Sequence, residues 1–325
     1  MSERSRIALL RARLGRNAPG VRVGIGDDAA VLDPGGLDPG GLVWTVDVQV
    51  EGTHFKTDWV SWEDIGWRSF MAAASDLAAM GAEPLAALSS LVLTPAIDDG
   101  ALDALARGQA AASQAVGAPV VGGNLARGTE TSITTTLLGR TPHPVLRSGA
   151  RPGDGVWLAG PVGLAAAGLA LLVQNASVQN AQCEACLSAW RRPVARIAEG
   201  RGLPGLAHAA IDVSDGLAHD AEQLAEASNV RIILDAQAIR AHAGAELAAA
   251  AAQLGRDALD LALHGGEDYA LLVASPSRLP GFVRIGAVEE YDQGARLLLT
   301  GETGGGTEPL TPRGFDHFAE PEPHR

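Results

Sequence analysis

The stretch VRVGIGDDAAVL, residues 21–32, decides how the chain is read. Gly24, Gly26 and Ala29 fit G-x-G-x-x-A after a short apolar strand, the spacing of a dinucleotide-binding turn. Such a turn opens a helix whose unpaired N–H groups and positive dipole end receive a pyrophosphate. Here Asp27 and Asp28 sit where the anion would dock, and two carboxylates repel it. The turn must serve a different chemistry.

Composition narrows the choice. A chain of 325 residues with 46% apolar content can build two domains, each with its own core. Forty glycines and several Ala-rich segments imply close helix packing and many turns. A net charge of -13 with only 4% aromatic residues excludes nucleic acid as a partner, since both the basic surface and the stacking platforms are missing. Lys56 is the only lysine among 25 basic residues, and its setting, HFKTDW, is neither a P-loop nor the strand lysine of a protein kinase. Cys183 and Cys186 form a single C-x-x-C on or beside a helix, too few for a four-cysteine zinc site. They are expected as reduced, partly buried thiols, with a redox or metal role as the alternative. No apolar run reaches the ~20 residues of a membrane span. The segment SERSRIALLRARLG places Ile7, Leu10 and Leu14 on one helical face but is too short and interrupted for a signal peptide, so a cytoplasmic protein is expected.

Periodicity predicts strands over 42–50, 86–93, 119–121 and 131–140, with helices over 62–80 and 98–116, the latter capped by Asp98. This first half reads as a layered α+β domain with mostly antiparallel strands, residues 1–140. The segment TPHPVLRSGARPGDG, with three prolines and three glycines, reads as the linker into a second α+β domain, 141–325. There the pattern predicts a strand over 156–159 and then a helix on PVGLAAAGLALL with proline in its first turn. Further helices are expected over 184–199, 215–227 and between 237 and 263. Strands are expected at 231–234, 269–274, 282–288 and 295–299.

Acidic residues recur in apolar surroundings. Asp47 lies within TVDVQV, on the same strand face as Thr45 and opposite Val46 and Val48. Asp76 interrupts the helix FMAAASDLAAMGA, and Asp212 and Asp215 occur where the apolar strand of AAIDVSDGL turns into a helix. An isolated ionised carboxylate in low dielectric costs several kcal/mol. Protonation, a distant arginine or a metal ion would relieve that cost. An all-oxygen donor set suits Mg²⁺, and Mg²⁺ ordinarily completes its shell with phosphate oxygens, which points to a nucleoside triphosphate. Purely structural roles compete: turn formation for Asp27 and Asp28, an N-cap for Asp215, a hidden arginine beside Asp76.

The segments GIGDDAAVL, TVDVQVEGTHF, SDLAAMGAEPLAALSSL, VGGNLARG, RSGARPGD, DVSDGLAHD, GGEDYALL and GFDHF, in that order and over nearly the whole chain, resemble the thiamine-monophosphate kinase family. That family belongs with aminoimidazole ribonucleotide synthetase-like proteins, which bind ATP through aspartate-held magnesium. The resemblance implies a two-domain α+β fold whose N-terminal sheets join across a homodimer into a barrel, with a C-terminal α/β sandwich completing the site. It implies ATP and thiamine monophosphate as substrates and several Mg²⁺ ions as cofactors. Metal ligands then fall on Asp28, Thr45, Asp47, Asp76, Asp212 and Asp215. Nucleotide contacts fall on Gly122, Gly123, Asn124, Arg147 and Ser214. His54, Glu267 and Phe315 match the thiamine phosphate pocket, where an aromatic face and a carboxylate suit a cationic thiazolium.

Two positions depart from the family pattern: Asn124 stands where aspartate is common, and Val46 where a second hydroxyl is common. As a metal ligand Asn124 offers a neutral oxygen and Val46 only its backbone carbonyl, so weaker metal binding at one position is expected. The acceptor phosphate is already anionic, so no general base is assigned and catalysis reduces to alignment and charge neutralisation. Alternatives are another ATP-dependent enzyme of the same superfamily or a non-catalytic nucleotide or thiamine-phosphate binder. Selenophosphate synthetase fits poorly, because it relies on a reactive residue near its amino terminus and no cysteine precedes Cys183. His54 as a plain loop histidine, Glu267 and Asp268 as solvated loop charges, and Tyr269 as core complete the structural readings.

Overall fold

The computed structural model describes residues 5, 7, 20–33, 41–176, 180–301 and 306–315. Ile7 is helical, whereas Leu10 and Leu14 of the expected first helix lie outside the described residues, as do 302–305 and 316–318. Among the described residues, no helix is long and apolar enough to cross a membrane.

The first half builds a six-stranded sheet from β1 (Val21–Val23), β2 (Ala30–Leu32), β3 (Gly41–Val50), β4 (Glu83–Leu93), β5 (Val120–Arg127) and β6 (Ser132–Thr141). Its order is β1-β2-β3-β6-β4-β5, antiparallel throughout except for the parallel pair β4 and β5. Helices α1 (Trp62–Ala79) and α2 (Asp99–Val116) bury its inner face around Val43, Phe70, Met71 and Leu137. Asp98 caps α2 as the sequence predicts, accepting the Ala101 N–H at 2.8 Å. The strand expected at 119–121 continues to Arg127, because parallel pairing with β4 carries it through the Gly-Gly-Asn segment. The outer face is apolar and bare: Trp44, Val46, Val48 and Leu88 are each at least 44% exposed.

The second sheet has seven strands: β7 (Gly155–Ala159), β8 (Ala209–Val213), β9 (Val230–Asp235), β10 (Ala270–Ser275), β11 (Val283–Glu290), β12 (Leu297–Thr300) and β13 (Thr307–Pro309). Its order is β13-β12-β9-β11-β7-β10-β8, with β12 and β9 parallel. One face packs against α3 (Leu164–Val173), α4 (Ala181–Arg191), α6 (Leu217–Ser228), α7 (Ala236–Leu254) and α8 (Ala258–His264), with the short α5 (Ile197–Gly200) beside the other face. Two helix expectations need correction. Proline does not start α3: the helix begins at Leu164, after Gly160 and Gly163 hold φ at 98° and 81°. The helix expected over 184–199 is two, because Pro193 lacks the N–H needed to continue it past Arg191.

Helix α1 binds the halves together. Its inner residues pack under the first sheet, while Ala78 and Ala79 join Ala159, Ala210, Leu271 and Val273 of the second. A helix enclosed on several sides carries small and apolar residues around its circumference, as the Ala-rich sequence of α1 does. Its contact with α2 is backbone on backbone. A Cβ added at Gly66 would fall 2.1 Å from the Leu105 carbonyl oxygen, and one at Gly108 1.8 Å from that of Glu63. Gly108→Ala is therefore expected to lower unfolding stability by about 2 kcal/mol or more, whereas Gly100→Ala, whose nearest contact is 3.4 Å away, leaves it unchanged or raised. Urea unfolding of the two variants checks this.

Candidate functional site

Four elements deliver carboxylates to one place: the turn after β1, the outgoing half of β3, the last turn of α1 and the end of β8. Asp28, Asp76 and Asp212 each offer an oxygen within 4.8 Å of the other two. Strand alternation turns Thr45 and half-buried Asp47 to the same side, and the Thr45 hydroxyl donates a short hydrogen bond to Asp76. Among the described residues no ion pair reaches Asp76, which removes the hidden-arginine explanation for this acid in the last turn of α1.

The adjacent aspartates of the opening turn divide their work. Asp27 is a brace, its Oδ1 accepting the Asp28 N–H at 3.0 Å and the Arg147 N–H at 3.3 Å. Asp28 points inward, where its Oδ1 receives Arg147 Nη2 at 2.6 Å and its buried Oδ2 has no hydrogen-bond partner among the described residues. Burial alone would lower the Arg147 pKa, but Asp28, Asp212 and Asp27 together hold it above the ordinary value.

One guanidinium against three clustered acids leaves negative charge uncompensated. Burial first, then Asp212 and Asp28, push the Asp76 carboxyl well up; burial and Asp28 do the same to Asp212. Asp47 rises to about 6, mainly by burial and further through Glu267, against the hydrogen bond from Gln49. These are the shifts expected of acids that become fully ionised only when a cation joins them.

Asp215 does not cap α6, contrary to its structural alternative. The N-cap is Gly216, with no side-chain cap bond, and Asp220 from inside the helix instead fastens the preceding turn, its Oδ2 accepting the N–H groups of Ser214, Asp215 and Gly216 at 3.1–3.2 Å. Asp215 lines a cleft of about 340 Å³ together with Asp47, Asp76, Asp212 and Ser214. The same cleft is walled by His54, Trp59, Trp190, Glu267, Tyr269 and Phe315. His54 is also a loop residue with a local bond, its Nδ1 accepting the Val50 N–H at 3.0 Å.

Glu267 and Asp268 are not solvated loop charges. Glu267 is ion-paired to buried Arg68. Asp268 is 4% exposed and accepts the Gly163 and Ala165 N–H groups at 2.5 and 3.0 Å, holding the start of α3; burial pushes it up to about 7. Tyr269 is core as expected, with its ring side bordering the cleft.

Some residues grouped by sequence are not brought to the cleft within one chain. The Val46 side chain faces away from Thr45 and Asp47 and is 63% exposed, the consequence of strand alternation, which leaves its backbone carbonyl as its one candidate donor. Gly122, Gly123 and Asn124 lie on β5, an outer strand exposed along its whole length. The absent side chain of Gly123 admits the neighbouring strand: a Cβ there would fall 1.7 Å from the Ser89 carbonyl oxygen. Cys183 and Cys186 are buried free thiols, as expected, and burial pushes Cys186 up to about 12, away from the reactive thiolate form. Sequence reasoning missed Arg68, Trp59, Trp190, Asp220 and Asp268. The one available hint was the concentration of tryptophan in the 59–67 segment.

Two α+β halves joined at an acid-lined cleft define the AIR synthase related class. The model of its N-terminal domain matches residues 26–141 and that of its C-terminal domain residues 151–285. Thiamine-monophosphate kinase of Mycobacterium tuberculosis (strain ATCC 25618 / H37Rv) is 36% identical over 315 residues, covering 95% of this chain and 90% of that protein. The Aquifex aeolicus enzyme of the same name is 32% identical, covering 90% and 92%. A solved structure described as AaThiL complexed with AMPPCP and TMP superposes with a TM-score of 0.86 at 31% identity, covering 98% of this chain and 97% of that one. The chain belongs to the thiamine-monophosphate kinase family.

The raised carboxyl pKa values give a signed expectation. A group whose folded pKa exceeds its unfolded value contributes stability below the unfolded value and loses it as pH rises through the folded one. For Asp47 and Asp268 that window runs from 3.8 to about 6 and about 7. The Tm of the protein in chelator should fall as pH is raised across this range, and Asp268→Asn should flatten the fall; differential scanning calorimetry reads both.

Proposed function

We propose that this chain transfers the γ-phosphoryl group of ATP to thiamine monophosphate, giving thiamine diphosphate and ADP. The observation that carries the reading is the single cleft joining an under-compensated carboxylate group to an aromatic pocket with a carboxylate, in a family that includes a structure described with AMPPCP and TMP. In this transfer a phosphate oxygen of the acceptor forms the new P–O bond, and the bond between the γ-phosphorus and the β-bridging oxygen breaks. The acceptor oxygen is already ionised near neutral pH, so no side chain needs to remove a proton.

The donor set fits magnesium. The atoms are hard oxygens, their charge exceeds that of Arg147, and the buried Asp28 Oδ2 lacks a partner among the described residues. We assign Asp28, Thr45, Asp47, Asp76, Asp212 and Asp215 to magnesium, which when bound would neutralise phosphate charge during transfer. Arg147 holds Asp28 in place and lends positive charge to the nucleotide side. Ser214 offers a hydroxyl to phosphate, and His54, Glu267 and Phe315 hold the acceptor.

Gly122, Gly123, Asn124 and the Val46 carbonyl enter this scheme through a homodimer. The bare apolar face of the first sheet and the open edge at β5 support that assembly, because a contiguous apolar surface of this kind is unfavourable in water. Nucleotide contacts from β5 then lie at the subunit boundary.

Incubation of the purified chain with ATP, Mg²⁺ and thiamine monophosphate should yield thiamine diphosphate, with none formed when any one is omitted. Asp76→Asn should lower kcat about a hundredfold or more while leaving circular dichroism unchanged and the chelator Tm equal or higher, since it removes one of three under-compensated, clustered acids. Trp44→Glu, on the bare sheet face, should shift the protein from dimer to monomer in sedimentation velocity.

A further inference from the structure

Arg68 borders this cleft without a task in the proposed function. It lies on α1 and is 1% exposed. Its Nη1 donates to the Trp190 carbonyl oxygen at 2.7 Å, its Nη2 pairs closely with Glu267 Oε2, and its guanidinium carbon stands 4.4 Å from the Trp190 ring centroid. Trp190 in turn meets Trp59 edge to face, with centroids 6.3 Å apart. One cation from the first half thus fixes a carboxylate and an aromatic wall contributed largely by the second.

Glu267 needs such an anchor. Its φ is 64°, a left-handed conformation unfavourable for a residue with a side chain, and its N–H is tied to the Ser214 carbonyl oxygen at 2.7 Å. Thiamine monophosphate is zwitterionic, with a cationic ring and an anionic phosphate. An unbalanced Glu267 would attract the ring and repel the phosphate. Paired with a guanidinium it tolerates both, and the pairing occupies Oε2 while leaving Oε1 for a ligand.

We infer that Arg68 is a positioning residue for acceptor selection: its guanidinium orients and balances Glu267 and seats Trp190, so that the cleft accepts a ligand carrying a cationic ring and an anionic phosphate together. This rests on the function proposed above. It assigns Arg68 no contact with ATP.

A double-mutant cycle tests it, using the full chain with ATP, Mg²⁺ and thiamine monophosphate. Arg68→Met and Glu267→Gln should each raise KM for thiamine monophosphate about tenfold, the loss of one charge-assisted contact, with KM for ATP within about twofold. The double variant should be no worse than the poorer single one, because both changes remove the same interaction. Arg68→Lys, which keeps the charge but loses the fork, should fall between wild type and Arg68→Met. Multiplicative losses in the double variant, or equal rises in both KM values, would overturn the inference. If Arg68→Met does not fold, Arg68→Lys with Glu267→Gln supplies the same cycle. A wild-type chain that forms no thiamine diphosphate would instead sink the function proposed above, an outcome separate from any result with the variants.

Discussion

The structure depends on a charged side chain carried by a helix that water barely reaches. Helix α1 runs between the two sheets, buried along most of its length, and Asp76 sits on it beside Asp28 and Asp212. Ionised carboxylates in such a place cost several kcal/mol each unless positive charge joins them. The fold supplies one guanidinium, Arg147, to a group of three acids. The remaining charge is a demand for cations, and the raised pKa values of Asp76 and Asp212 express it in the chain by itself.

Neither half owns this place. The first sheet gives Asp28, Thr45 and Asp47, α1 gives Asp76, and the β8 end and the turn beyond it give Asp212, Ser214 and Asp215. Two arginines secure opposite partners around it: Arg147, from the second half, reaches back to Asp28, and Arg68, from the first, reaches forward to Glu267. Each pair crosses between the halves, so the geometry of the cleft and the docking of the two sheets are held by the same contacts. Other acids hold backbone: Asp27, Asp220 and Asp268 each accept main-chain N–H groups and fix the turns around the cleft.

Much of this was legible before any coordinates. Alternation in TVDVQV put Thr45 and Asp47 on one face, and the acid in the middle of FMAAASDLAAMGA marked Asp76 as a group without a local reason. Asp98 at a helix start and the antiparallel character of the first sheet follow from local pattern. What could not be read depends on distant neighbours. Nothing near Arg68 in the chain announces a partner 199 residues away. The role of Asp220 rests on the way the turn 214–216 wraps its carboxylate, and the true start of α3 on Gly163 and Asp268. That Gly123 makes room for the neighbouring strand is equally a matter of distant pairing.

The glycine contacts between α1 and α2 carry one more implication. With main chain resting on main chain at Gly66 and Gly108, the first helix can neither roll nor slide on its neighbour without a clash. Asp76 is therefore bolted to a stiff frame. The other side of the cleft is held by polar contacts: the segments 213–216 and 265–269 are fastened by hydrogen bonds, by the N–H groups gathered on Asp220 and by an ion pair.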